Sequence, residues 1–326
     1  MKPTVAVARD FLKSSWQAVC RPLCDQRRRL SQLRYGSLRS ALAALLFAPL
    51  AALHADADSK PAPDLKPGTR MILKFPELPQ TLYAMQSGQE TTTQAYLALP
   101  ENYSPERKFP LFVFLYGGHG GPAAGPGRGQ QIMENKDCIF VNLPLFKKKF
   151  DPDGPFKGLL ITTEQDGETI CQTYTAMLKR IDATIPNIDT AHNTIGGMSN
   201  GATSIVAIFE TGDAYLMSTF QNLVLIEGGW HSIKTFDRYR GKGILYLYGD
   251  YVGQNNWLGK KMREDLPNAV KKLDDAVKAY QLNATGLVMK NTGHDMPTEF
   301  NADVKTWVLK QLAQQAMIPA PPPLKP

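Results

Sequence analysis

Ser199 sits at the centre of Gly197-Met198-Ser199-Asn200-Gly201, after the apolar approach Thr194-Ile195-Gly196 and before a helix-like stretch. A strand, a tight Gly-flanked reversal and a helix in that order make a nucleophile elbow. The small residues let the chain turn sharply enough to expose the hydroxyl above a sheet. A serine hydroxyl needs a base to take its proton, and the base needs an orienting carboxylate. Of five histidines, His294 in Asn291-Thr292-Gly293-His294-Asp295-Met296-Pro297 is the best placed. It follows an expected strand and precedes the last helix, at the rim that presents Ser199. His231 is its rival. His54 lies in a leader, His119 in a Gly-rich turn, and His192 at the far end of the elbow strand.

For the carboxylate, Asp250 follows the strand Ile244–Tyr248 and keeps the chain order Ser, Asp, His, so it is the favoured acid. Glu227, ending Leu223–Ile226, is the alternative acid. Asp250 can also be read as a turn cap, and Asp295 would have to bend back onto its neighbour's ring. An acyl transfer also needs donors for the developing oxyanion. Leu111-Phe112-Val113-Phe114-Leu115-Tyr116 runs directly into Gly117-Gly118-His119-Gly120-Gly121-Pro122. Bare backbone at a strand end suits that task, with Gly118 or His119 as one donor and the N–H of Asn200 as the other. Trp230, Tyr251 and Trp257 fall on expected rim loops and could stack against substrate. No cofactor is expected. No metal site is expected either, because the cysteines lack the spacing of a metal knuckle.

These residues need elements to position them. Apolar runs at Thr92–Leu99, Pro110–Tyr116, Cys138–Leu143, Asn193–Gly196, Leu223–Ile226, Ile244–Tyr248 and Gly286–Met289 read as strands. Helix-like stretches cover Gln130–Asn135, Thr169–Ile185, Ser199–Phe209, Glu264–Tyr280 and Thr298–Gln315. In the last, Phe300, Val304, Trp307, Val308 and Leu312 form a one-sided apolar face. Alternation of strand and helix predicts an α/β fold with a mostly parallel sheet covered on both faces. The early strands, with no long helix between them, predict an antiparallel edge. No long insertion follows the elbow helix, so no separate lid domain is expected.

The first forty residues hold nine basic side chains against two acids, a surplus equal to the whole formal charge of +7. An uncharged run of thirteen residues, 41–53, follows, and then Ala55-Asp56-Ala57. Basic region, short apolar run and small-residue exit describe an export signal over 1–57. Thirteen residues are too few to span a bilayer, which takes about 20, so no stable membrane anchor is expected. The remaining chain carries 28 basic and 27 acidic residues. The high isoelectric point therefore belongs to the leader, which removes nucleic acid as a partner. Residues 58–68 read as a flexible linker, 69–316 as one catalytic domain and 317–326 as a Pro-rich tail. Cys138 and Cys171 are the cysteines left after the leader, and an oxidising compartment would allow them to pair.

Gly197-Met198-Ser199-Asn200-Gly201-Ala202, the turn at Gly117–Gly121 and Gly293-His294-x-x-Pro297 together resemble the α/β-hydrolase superfamily. Within it the chain is similar to the secreted feruloyl esterases, acetylxylan esterases and polyhydroxybutyrate depolymerases. It departs from that group at Tyr116-Gly117, where His-Gly is usual. It departs again at Gly249-Asp250-Tyr251-Val252, where the group places Asp three residues beyond the Gly. The resemblance implies an exported serine esterase, periplasmic or extracellular, acting through an acyl-enzyme. Its substrates would be polysaccharide-linked, polyester or small aryl esters. A serine peptidase like prolyl oligopeptidase, or a hydrolase-fold binding protein with impaired turnover, are the other readings.

Overall fold

The computed structural model describes residues 65–78, 85–86, 89–90, 93–118, 125–146, 164–251 and 266–316. The expected leader, most of the linker, the Pro-rich tail, His119 and Trp257 lie outside those residues. Eight strands form the main sheet: β1 (Arg70–Lys74), β4 (Gln94–Ala98), β5 (Leu111–Leu115), β6 (Ile139–Leu143), β7 (Asn193–Met198), β8 (Phe220–Ile226), β9 (Gly243–Gly249) and β10 (Asn283–Met289). Their spatial order is β1-β4-β6-β5-β7-β8-β9-β10. Two-residue strands β2 (Met85–Gln86) and β3 (Gln89–Glu90) pair with each other. β1 with β4 and β4 with β6 are antiparallel, and every later pairing is parallel. The antiparallel edge is where the missing helix placed it.

The central strands are continuous apolar runs because both their faces are buried. Leu111, Val113 and Leu115 enter one core while Phe112 and Phe114 enter the other. β8 divides likewise, Leu223 and Leu225 against Val224 and Ile226. This is the period of two expressed as two separate cores.

One core is closed by α2 (Gly167–Thr184), through Ile170, Tyr174, Met177, Leu178 and Ile181, and by α3 (Asn200–Thr211), through Ile205, Ile208 and Phe209. α5 (Leu266–Tyr280) adds Leu273 to the same core. The other core is closed by α1 (Gly127–Met133) and α6 (Asn301–Ala316), whose Val304, Trp307 and Val308 fulfil the sequence's one-sided stripe. The short helix α4 (Ala214–Thr219) starts with an N-cap, the Asp213 carboxylate accepting from the Leu216 N–H at 2.9 Å.

After β5 the chain crosses outward to β6 and then returns past β5 to β7. The helices that follow β5 and β7, α1 and α3, pack on opposite faces. A crevice at the carboxyl ends of β5 and β7 is the consequence, and such switch points are where α/β sheets hold ligands. Both Gly117–Gly118, the start of the Gly-rich turn, and Ser199 stand there.

The sheet also separates the two cysteines. Cys138 belongs to the core under α1 and α6, and Cys171, on α2, to the other. Both are free and buried, so the pairing that an oxidising compartment would allow is not made. Burial pushes the Cys138 thiol up to about 12 and the Cys171 thiol up to about 11. Among the described residues no helix is long and apolar enough to cross a membrane.

Candidate active site

The elbow is built from close backbone approaches. A Cβ on Gly197 would lie 2.7 Å from the Gly201 carbonyl carbon, and one on Gly201 would meet the Leu115 and Tyr116 carbonyls. Ser199 takes φ 54° and ψ −115°, a left-handed conformation that L-residues rarely hold without a structural reason. Its N–H donates to the Ile226 carbonyl at 2.7 Å, and its own carbonyl accepts from the Thr203 N–H at 3.0 Å in the first turn of α3. The strained residue is thus fixed from both sides.

Nε2 of His294 lies 2.8 Å from the Ser199 Oγ. Nδ1 of the same ring lies 3.2 Å from Oε2 of Glu227. The Glu227 carboxylate is fully buried, and its Oε1 accepts from the Gly249 N–H. A carboxylate held this way accepts from Nδ1–H, which leaves Nε2 as the acceptor for the serine hydroxyl. Glu227 also has φ 53°, and its N–H donates to the Leu247 carbonyl at 2.9 Å. Gly228, next in the chain, lies under the elbow: a Cβ there would be 2.5 Å from the Ser199 carbonyl oxygen.

Asp250 is elsewhere. It forms an ion pair with Lys290 at 3.2 Å and accepts from the Asn291 N–H at 2.7 Å. Burial raises its carboxyl, but the Lys290 and Asn291 bonds outweigh that and hold it below the usual range. The expectation that Asp250 accepts from His294 is therefore corrected: the carboxylate at Nδ1 is that of Glu227. The physical reason lies in the crossing from β9 to β10. Asp250 N–H donates to the Met289 carbonyl at 3.2 Å and Tyr251 N–H to that of Thr292 at 3.0 Å. These bonds commit Asp250 to the start of the His294 loop, which it caps at Asn291, while the ring itself reaches back over β8. Buried Met296 anchors the far side of that loop.

Gly117, where the Gly-rich turn begins, faces Ser199. A Cβ on Gly117 would lie 3.0 Å from that of Ser199. Asn200 Nδ2 donates to the Gly118 carbonyl at 3.0 Å, so the residue after Ser199 binds the start of the turn by its side chain. Gly118 is exposed with φ 60°.

Trp230 does not form a rim platform. It is 4% exposed and packs between Tyr246 and Tyr248, its ring centroid 5.6 Å from each. Tyr251 is 48% exposed. His231, the rival base, packs edge-on to Trp230 at 5.5 Å, and the imidazole at the Ser199 hydroxyl is that of His294. Its burial lowers the imidazole below its ordinary value against the opposing charge of Glu227, which raises it.

Sequence reading did not single out Gly228 or Asn142. The first had a signal in the Gly-Gly pair after Glu227, which mirrors the glycines of the elbow. The second had one in a polar residue interrupting the apolar run 138–143.

No protein-family model matches the chain, and no curated protein is similar to it in sequence. Among solved structures the chain is similar to an S-formylglutathione hydrolase from Agrobacterium tumefaciens, at 15% identity and TM-score 0.48, over 77% of this chain and 96% of that one. It is similar to a ferulic acid esterase from Anaeromyces mucronatus at 13% identity and TM-score 0.45, over 76% and 91%. It also resembles a Bacteroides ovatus protein described as a candidate dipeptidyl aminopeptidase IV, at 14% identity and TM-score 0.48, over 78% of this chain. The match spans 37% of that peptidase, and 62% of a thermostable esterase. By its strand order, its strained elbow serine and the line from carboxylate through imidazole to hydroxyl, the chain has the α/β-hydrolase fold.

Proposed function

We propose that the protein is an exported serine hydrolase that cleaves carboxylic esters, with Ser199 as nucleophile, His294 as general base and acid, and Glu227 as the orienting carboxylate. The observation that carries this reading is the unbroken line from Glu227 Oε2 through His294 to Ser199 Oγ, at 3.2 and 2.8 Å.

In acylation, Nε2 takes the hydroxyl proton as Oγ bonds to the ester carbonyl carbon. Glu227 stabilises the imidazolium, and the Asn200 N–H with a donor from the turn 117–119 stabilises the oxyanion. Collapse breaks the bond to the alcohol, which leaves with the proton from Nε2. Water then repeats the sequence on the acyl-enzyme, releasing the acid and restoring the hydroxyl. The impaired-turnover reading rested on the odd motif around Asp250, and the Glu227 carboxylate at Nδ1 of His294 supports turnover instead.

The leader composition supports export, with a mature start near Asp58. Substrates of the polysaccharide-linked, polyester or small aryl class suit an exported esterase, and Tyr251 is the described rim aromatic available to them. Incubation with a fluorophosphonate probe, followed by mapping of the label, tests the chemistry. Label on Ser199 together with hydrolysis of p-nitrophenyl acetate is expected. Label elsewhere, or none with no ester turnover, removes the reading. A peptide p-nitroanilide assayed beside the ester decides against a peptidase if only the ester turns over.

A further inference from the structure

The described limbs of the Gly-rich turn, Gly117–Gly118 and Gly125–Arg128, are each tied down. On the outgoing limb, Asn200 Nδ2 holds the Gly118 carbonyl at 3.0 Å. On the returning limb, Asn142 Nδ2 donates to the Gly125 carbonyl at 3.1 Å, and the Tyr116 hydroxyl to that of Pro126 at 3.3 Å. Arg128 then faces Asp295, the neighbour of His294, at 3.6 Å.

Asn142 is the unexpected member. It is the fourth residue of β6, on the face that carries Phe140, and its register partners are Tyr96 and Phe114. Only 3% of it is exposed, and among the described residues its Oδ1 has no hydrogen-bond partner. Alternation along the strand calls for an apolar side chain there. A buried amide with half its capacity unused costs free energy that an aliphatic residue would not. Stability therefore does not account for the residue, whereas the bond from its Nδ2 to the Gly125 carbonyl on the returning limb gives it a task.

We propose that Asn142 is a positioning residue that holds the returning limb against the Tyr116 hydroxyl, so that the backbone of Gly117–Gly118, which follows Tyr116, is fixed before the oxyanion charge develops. This rests on the esterase reading and deepens it. Donors of this kind act at 2.7–3.1 Å from where the oxyanion will be, so a small drift of the turn weakens the transition state and leaves substrate binding almost untouched.

The test compares wild type, Asn142→Leu and Tyr116→Phe for melting temperature and for kcat and KM on p-nitrophenyl acetate. Asn142→Leu is expected to melt at or above the wild-type temperature, while kcat falls about tenfold to a hundredfold and KM changes less than about twofold. Tyr116→Phe, which keeps the ring, should show a milder fall confined to kcat. An unchanged kcat in Asn142→Leu overturns the proposal. So does a kcat that falls only together with the melting temperature. If Asn142→Leu fails to fold, Tyr116→Phe decides: a kcat-only loss upholds the proposal and wild-type kinetics ends it. A wild-type protein that takes no fluorophosphonate on Ser199 would instead remove the esterase reading itself.

Discussion

At the scale of single residues, two non-glycine positions of the candidate site carry left-handed backbone, Ser199 at φ 54° and Glu227 at φ 53°. Each such position costs on the order of 1–3 kcal/mol and persists only when its surroundings fix it. Here the surroundings are the Ile226 carbonyl at the Ser199 N–H and the Leu247 carbonyl at the Glu227 N–H. Ser199→Ala should leave folding intact, abolish fluorophosphonate labelling and lower kcat by about five to six orders of magnitude. Wild-type turnover by that variant would place the nucleophile elsewhere. The acid is tested by ranking two variants on the same ester at neutral pH. Glu227→Gln should cost kcat about three to four orders of magnitude, since the imidazolium loses its counter-charge and the tautomer its fixing acceptor. Asp250→Asn should cost less than about tenfold, and the opposite ranking would return the acid to Asp250. Asp250 acts on stability instead. Its folded carboxyl is held low by Lys290 and Asn291, so its contribution is complete above the unfolded value of 3.8. It is lost as the pH falls through the lower folded value. Asp250→Asn should accordingly flatten the decline of melting temperature below about pH 4.

At the scale of elements, the ends of three parallel strands are joined by a backbone bond and by one carboxylate that accepts from a backbone N–H. β8 supplies the Ile226 carbonyl to the elbow on β7, and Gly249 at the end of β9 supplies its N–H to Glu227. Gly228 lies between them, with no room for a Cβ beside the Ser199 carbonyl. Gly228→Ala must push the elbow away from β8. We expect a loss of about 1–3 kcal/mol in stability and a fall in kcat larger than any rise in KM. Denaturant melts combined with steady-state kinetics would check both, and unaltered kinetics would mean that the elbow tolerates the displacement.

At the scale of the whole molecule, the sheet is a partition. Alternate residues of β5, β6, β8 and β9 feed two cores, and the cysteines fall on different sides. Protein beginning at Asp58, denatured without reductant, should yield two titratable thiols. The native protein should react slowly, because burial raises both thiols far above neutral pH. A count of zero in the denatured protein would restore the bridge. Export belongs to this scale too. N-terminal sequencing of protein recovered outside the cytoplasm should begin near Asp58, and an intact Met1 on it would dismiss the leader.

Local pattern by itself determined the layers and pointed to two members of the candidate site. Unbroken apolar runs such as Leu111–Leu115 have a single stable place, a strand buried on both faces, and the Gly-flanked Ser199 has one sharp turn to occupy. His294 followed from its strand end and its position before the last helix. The carboxylate did not follow in this way. Glu227 and Asp250 both end parallel strands, β8 and β9, at the same rim, and chain order admits either. What separates them is where the Asn291–Met296 loop turns after β10, which depends on Asp250 binding Asn291 and on Met296 entering the core. Those are contacts between segments some forty residues apart, or between a loop and a whole helix layer. The same holds for Trp230, which the chain places after a strand like a rim residue but which Tyr246 and Tyr248 enclose. It holds also for Cys138 and Cys171, which an oxidising compartment would allow to pair but which the sheet keeps in separate cores. Side-chain periodicity reports which face a residue takes along its own strand, whereas the partner it meets is set by how neighbouring strands and their loops pack.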